Sequence, residues 1–296
     1  MDRREWFLAT LLSATTKLPA SAQPEEAEPV LLPCMNQQTT LDAPLQAEFE
    51  AYVAAGFRHV ELWFPKLKKL DLTPAVVAGR LRDAGLTPVC ACSCDVRLTR
   101  PQEEFDQHLP ELKANLEWAQ AFGLPRFVIT SSSGAIHPDD YKLAAERLAR
   151  VAELASLYKV RVALEFIASS KLFGCLPTTL SVIRASGHAN AGVCLDTFHF
   201  FVGSSKTEDL GELMPGEIAH VHFHDAPRRV PRERLTDADR LPPGEGSFPL
   251  NPITAALRRI GYRGALSIEL FGAEFHQGDP GTVAERCYRA VRKYLS

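Results

Sequence analysis

Four residues of this 296-residue chain carry the strongest chemical signal: Glu165 in "ALEF", Asp196 in "CLDTFH", His222 in "HVHFHD" and Glu269 in "SIELF". Each closes a short apolar run of the kind that forms a buried strand. One glutamate after a strand is ordinarily a capped or ion-paired structural residue. Four such residues at the ends of successive runs are harder to explain that way. Three carboxylates and an imidazole buried close together would be very costly without a compensating cation. A divalent metal ion supplies one. Three oxygens and one nitrogen, with no thiolate, favour manganese, magnesium or cobalt over a structural zinc, with zinc as the further option.

The histidines of "HVHFHD" need separate treatment. His220, His222 and His224 alternate, so on a strand they share one face and stack along it rather than converging on a point. We expect a hydrogen-bonded core role for His220, the ligand role for His222, and a place at the rim, beside a ligand or the substrate, for His224. Asp225 and Arg228 would open the following loop, where a guanidinium could hold a substrate oxygen. His199, three residues beyond Asp196, is placed to reach substrate. Glu165 and Glu269 are the acid/base candidates. An apolar wall would keep one of them competent as an acid beside the ion, and Trp63, Phe166 and Phe271 could form it.

The elements that must position these residues follow from periodicity. Short apolar runs near 30–35, 57–63, 87–92, 126–131, 160–166, 191–196, 217–223 and 265–270 read as eight strands. Helix-period segments separate them, among others at 44–55, 74–84, 102–122, 138–158 and 281–294. Gly56, Gly85, Gly123 and Gly261 stand where helices should stop. About 33 residues per unit over residues 29–296 fits a single-domain (β/α)8 TIM barrel, in which chemistry sits at the C-terminal strand ends. An open doubly wound sheet would want a glycine-rich phosphate loop, and "SSSGAIHP" lacks the second glycine.

Composition narrows the partners. Hydrophobic residues make up 46% and charged residues 23%, and the formal charge of -3 without basic runs gives no footprint for nucleic acid. A small molecule is expected instead. The seven cysteines lack zinc-ligand spacing and read as free, small apolar residues, with Cys90, Cys92 and Cys94 on one strand face. The N-terminus carries Arg3 and Arg4, an apolar stretch from Trp6 to Leu12 and Ala20-Ser21-Ala22 before a Pro/Glu-rich linker. Residues 1–28 therefore read as a twin-arginine signal peptide and linker, with a periplasmic destination and no membrane association after removal. A retained amphipathic helix and a cytoplasmic protein are the alternative.

The segments "AAGFRHVELW", "ALEF", "GVCLDTFHFF", "IAHVHFHDAP", "DRLPPGEG" and "IGYRGALSIELF", in this order, resemble the sugar phosphate isomerase/epimerase superfamily, the xylose isomerase-like TIM barrels of the AP endonuclease family 2 type. The resemblance implies metal ligands at Glu165, Asp196, His222 and Glu269, the first and last doubling as the acid/base pair. It implies substrate contacts at His199 and Arg228, and association of copies through outer helices. The implied activity is isomerisation or epimerisation of a sugar, ketose or polyol by proton transfer through an enediolate. A lyase of the inosose or 3-dehydroshikimate dehydratase kind is the alternative: "HFHDAPRR" departs from the ketose 3-epimerases, and "DAP" and the "PGEG" turn resemble the dehydroshikimate dehydratases, although those have Gln where this chain has His222. A DNA-repair endonuclease would need further His and Glu ligands that the first four strands do not supply, and a non-catalytic barrel would not need the complete ligand set.

Overall fold

The computed structural model describes residues 31–132 and 137–296; the expected signal segment lies outside the described residues. Eight parallel strands, β1 (Leu31–Asn36), β2 (His59–Trp63), β3 (Thr87–Asp95), β4 (Arg126–Thr130), β5 (Arg161–Glu165), β6 (Ala191–Asp196), β7 (Ile218–His222) and β8 (Gly264–Ile268), close in sequence order into a barrel. Helices α1 (Leu45–Ala55), α2 (Phe64–Lys69), α3 (Pro74–Ala84), α4 (Gln102–Ala121), α5 (Asp140–Ser156), α6 (Leu176–Ser186), α7 (Thr197–Val202), α8 (Leu250–Arg259), α9 (Ala273–His276) and α10 (Pro280–Val291) lie in the connections and after β8. All eight expected strands are present. Among the described residues, no helix is long and apolar enough to cross a membrane.

Local sequence explains these elements. In α5, Ala144, Leu148, Val151, Ala152 and Ala155 recur at three- and four-residue spacing, so one stripe is buried against the barrel. Helix α1 stops at Gly56, whose φ of 114° puts it in left-handed space. A Cβ there would stand 2.7 Å from the ring of Tyr288 on α10, so the glycine also permits the approach of those two helices.

The large aromatic core, including Phe49, Phe57, Phe64, Phe105 and Phe127, belongs to one extended cluster of strand and helix residues. A second cluster is made of small side chains: Cys90, Cys92, Val128, Ala163, Cys194 and Ala219. All seven cysteines are free, and the thiols of this cluster act as compact filling. Cys94 departs from the expected alternation. A register shift in the β3–β4 pairing between Cys92 and Asp95 puts Cys94 with the larger cluster instead.

Strand register brings the chemistry to one end. Asp196 pairs with His222, Glu165 with Cys194, and Asn36 with Glu61. Glu269 immediately follows β8.

The β7–α8 connection is held by Asp225. Its carboxylate accepts N–H bonds from Ala226 (2.8 Å), Gly244 (3.1 Å), Gly246 (3.0 Å) and Phe248 (2.8 Å). Its backbone exchanges two 2.8 Å bonds with Leu241. Asp225 was expected at the substrate border; it is 1% exposed and serves the loop. Gly246 is required at this place, because a Cβ would collide with the Ala226 carbonyl and the Asp225 carboxylate. Asp225→Ala would remove the shared acceptor of four N–H groups, one buried and three part-buried, and we expect a loss of about 3 kcal/mol, or roughly 6–12 °C in Tm for a chain of this size. Calorimetry checks this; a Tm within 2 °C or so of the parent would refute the assignment.

Candidate metal and active site

Glu165, Asp196, His222 and Glu269 each offer a ligand atom, and these atoms all lie within 4.8 Å of one another. His222 Nδ1 is 2.8 Å from Glu165 Oε1, 3.4 Å from Glu269 Oε2 and 3.7 Å from Asp196 Oδ2. Atoms bound about 2.1 Å from a common cation are separated by roughly 3–3.5 Å, so this donor set fits a divalent ion.

The other face of the imidazole is also committed. His222 Nε2 lies 3.1 Å from Glu61 Oε1, while Glu61 Oε2 meets His220 Nε2 at 2.9 Å and accepts from Ser267 Oγ at 2.6 Å. A carboxylate on Nε2 keeps the proton there and leaves the Nδ1 lone pair for a metal. Burial would raise the Glu61 pKa, but His220 and His222 hold it well below the ordinary carboxylate value. Glu61, on β2, thus supports the ligand histidine. Glu61→Gln should weaken metal binding by about 10- to 100-fold without removing a ligand. Metal titration of the stripped protein checks this.

Arg240, which sequence reasoning missed, is buried against the ligand set. Its Nη1 donates to Asp196 Oδ2 (3.0 Å) and Glu269 Oε2 (2.9 Å). Its Nη2 bonds His199 Nε2 (3.1 Å) and Asp237 Oδ1 (2.6 Å), and Nε donates to Asp237 Oδ1 (3.0 Å). All five donors are therefore used. The guanidinium lies over the rings of Phe198, at 5.1 Å, and Phe271, at 4.7 Å. The exposed Arg228 does not reach the site, and Arg240 provides its buried guanidinium. The available signal was "DRLPPGEG": Leu241 bridges to Asp225, and that bridge places the preceding arginine inward.

These contacts separate the carboxyl groups electrostatically. Burial would raise Asp196, but Arg240, His224 and His199 hold it well below its usual pKa. Burial dominates at Glu269 and pushes it up to about 8 against the pull of His222 and Arg240. Burial disfavours a charged His222, yet Cys194, Glu269, Glu61 and Glu165 raise its pKa well above the usual value.

A cavity of about 300 Å³ opens above the cluster. Glu165 and Glu269 line it, whereas Asp196 and His222 do not. Its wall includes His199, Trp63 and Phe271, three of the residues singled out in the sequence, together with Gln38, Asp237 and Arg240. Phe166 is fully buried and does not line it. His224 is not at the rim: it is 0% exposed, its Nε2 stands 3.2 Å from Asp196 Oδ1, and burial lowers its pKa to about 4. The His224 backbone N–H and carbonyl both bond the Thr197 hydroxyl, which draws the residue inward.

Fold and site together define a (β/α)8 barrel with a carboxylate-rich candidate divalent-metal centre at the C-terminal ends of its strands. The profile of the xylose isomerase-like TIM barrel family matches residues 49–294, and the chain belongs to that family. It is 27% identical over 260 residues to an inosose isomerase of Halalkalibacterium halodurans, covering 82% of this chain and 89% of that one. It is 26% identical over 245 residues to a 3-dehydroshikimate dehydratase of Pseudomonas aeruginosa, covering 80% of this chain but 37% of that protein. Among solved structures, the IOLI protein with a binding zinc atom superposes with a TM-score of 0.83 at 23% identity, over 90% of this chain and 98% of the other.

Proposed function

We propose that the protein is a divalent-metal-dependent isomerase or epimerase of a sugar, ketose or polyol. The observation that carries this reading is the division of labour among the four ligands. Asp196 and His222 lie behind, while Glu165 and Glu269 border the cavity from strands three places apart around the barrel. A bound divalent ion would supply Lewis acidity that stabilises the negative oxygen formed when a proton leaves carbon beside a carbonyl. One glutamate takes that proton and the other returns it. Return to the same carbon from the opposite face gives epimerisation, and return to the neighbouring carbon gives isomerisation.

The remaining residues position and exclude. His199 Nε2 accepts from Arg240, which places its proton on Nδ1, and that nitrogen has no partner among the described residues. That nitrogen is itself buried, so His199 takes part as a section of the cavity wall. Trp63 and Phe271 cover the apolar faces of the ligand and keep water from the transferred proton. The oxygen-rich donor set supports manganese, magnesium or cobalt.

The similarity to a 3-dehydroshikimate dehydratase supports a second reading, elimination of water after the same proton abstraction. Incubation of the metal-loaded protein with ketoses, inososes and 3-dehydroshikimate in heavy water tests both. Deuterium should enter at carbon beside the carbonyl without loss of mass as water. Net water loss selects the lyase, and no exchange across the panel would overturn both readings.

A further inference from the structure

The cavity over the four ligand residues, at about 300 Å³, stands at the lower edge of the roughly 300–1,000 Å³ typical of small-molecule sites. A second cavity of about 390 Å³ adjoins it, and Thr130 at the end of β4 and Ile167 just beyond β5 belong to the walls of both. The two compartments thus lie side by side over the ends of β3, β4 and β5, the first against the ligand cluster, with Thr130 and Ile167 common to both walls.

The second compartment differs in chemistry. Asp95, Ser131, Ser132 and Ser169 contribute to its wall, with Ile167 as an apolar patch. Ser131 Oγ accepts from Leu98 N–H at 3.0 Å, so its own hydroxyl proton is available to donate. Ser132 Oγ donates to Asp95 Oδ2 at 2.6 Å, which leaves its lone pairs to accept. Donors and acceptors thus alternate beside a hydrophobic face, as the hydroxyls and C–H face of a saturated polyol ring require. An anion is disfavoured. No Lys or Arg lines this compartment among the described residues, the neighbouring Arg97 is paired with Asp95 (3.8 Å) and Glu104 (3.4 Å), and Arg240 next door has no uncommitted donor.

We propose that the second compartment is a binding subsite for an uncharged polyol unit, so that the substrate is a two-unit molecule: a ketone-bearing sugar or polyol at the ligand cluster joined to a second, unphosphorylated ring over Ser131, Ser132 and Ser169. The inference rests on the isomerase reading for what happens at the first unit. Binding at the second is independent of turnover.

Calorimetric titration of the full-length, metal-loaded protein with D-fructose and D-tagatose, and with the two-ring ketoses lactulose, turanose and isomaltulose, tests it. The two-ring class should contain the tighter ligands, by at least tenfold in Kd. Ser169→Trp, at an exposed position, should fill the subsite and reduce the ratio between the classes by at least tenfold, with an unchanged Tm showing that the fold is kept. Equal affinity, weak binding of both classes alike, or a preference that survives Ser169→Trp would overturn the proposal. Absence of deuterium exchange with a persisting two-ring preference would instead count against the isomerase reading and leave the subsite standing.

Discussion

Glu269→Gln is expected to reduce turnover by at least about a thousandfold and to lower the metal content of the purified protein, while the barrel stays folded. A positioned acid/base group contributes about 10²–10⁴-fold, and here the same side chain also offers a ligand atom. Glu269 accepts from Asn36 Nδ2 at 3.2 Å on one oxygen and from Arg240 Nη1 at 2.9 Å on the other. A glutamine can accept at only one of those places, so the other becomes a donor facing a donor. Stability should change little, because relief of the burial cost of the charged carboxylate offsets the donor left facing a donor. Metal analysis, kinetics and a melting curve on one preparation check all three parts. Normal turnover with a full metal complement would remove Glu269 from the site.

Arg240→Met should make folding depend on metal. The guanidinium compensates Asp196 and Glu269 at 2% exposure, held by Asp237 and flanked by Phe198 and Phe271. Breaking a buried pair by removing one partner costs about 3–5 kcal/mol, roughly 6–20 °C in Tm. A divalent ion on the same carboxylates should restore much of the loss. The chelated variant is therefore expected to melt far below the chelated parent, with added metal closing most of the gap. Turnover should remain depressed by about a hundredfold, because Glu269 and His199 lose the contact that orients them. Equal melting of variant and parent in chelator would show that Arg240 does not compensate the cluster.

Sequence and structure contribute differently to this site. Glu165, Asp196, His222 and Glu269 were legible because each ends an apolar run, and a closed parallel barrel gathers such ends at one rim. His220 was legible through alternation, and it does bond Glu61 inside the barrel. His224 was misplaced because alternation gives the face and not the depth. The hydrogen bonds to Thr197 set that depth. Cys94 was misplaced because a register shift breaks the alternation that placed it.

What the sequence by itself determined is the set of repeating βα units and the closing residues of the strands. Period and composition are local properties, and local properties can be read along a chain. The choice of Arg240 over Arg228, the support of His222 by Glu61 and the second compartment beside the first belong to tertiary structure. Each depends on contacts between segments far apart in sequence. Arg240 is turned inward by a bridge from Leu241 to Asp225, sixteen residues away in the chain, and Glu61 and His222 meet across the barrel from separations of 161 residues. No periodicity encodes such distances; barrel closure does.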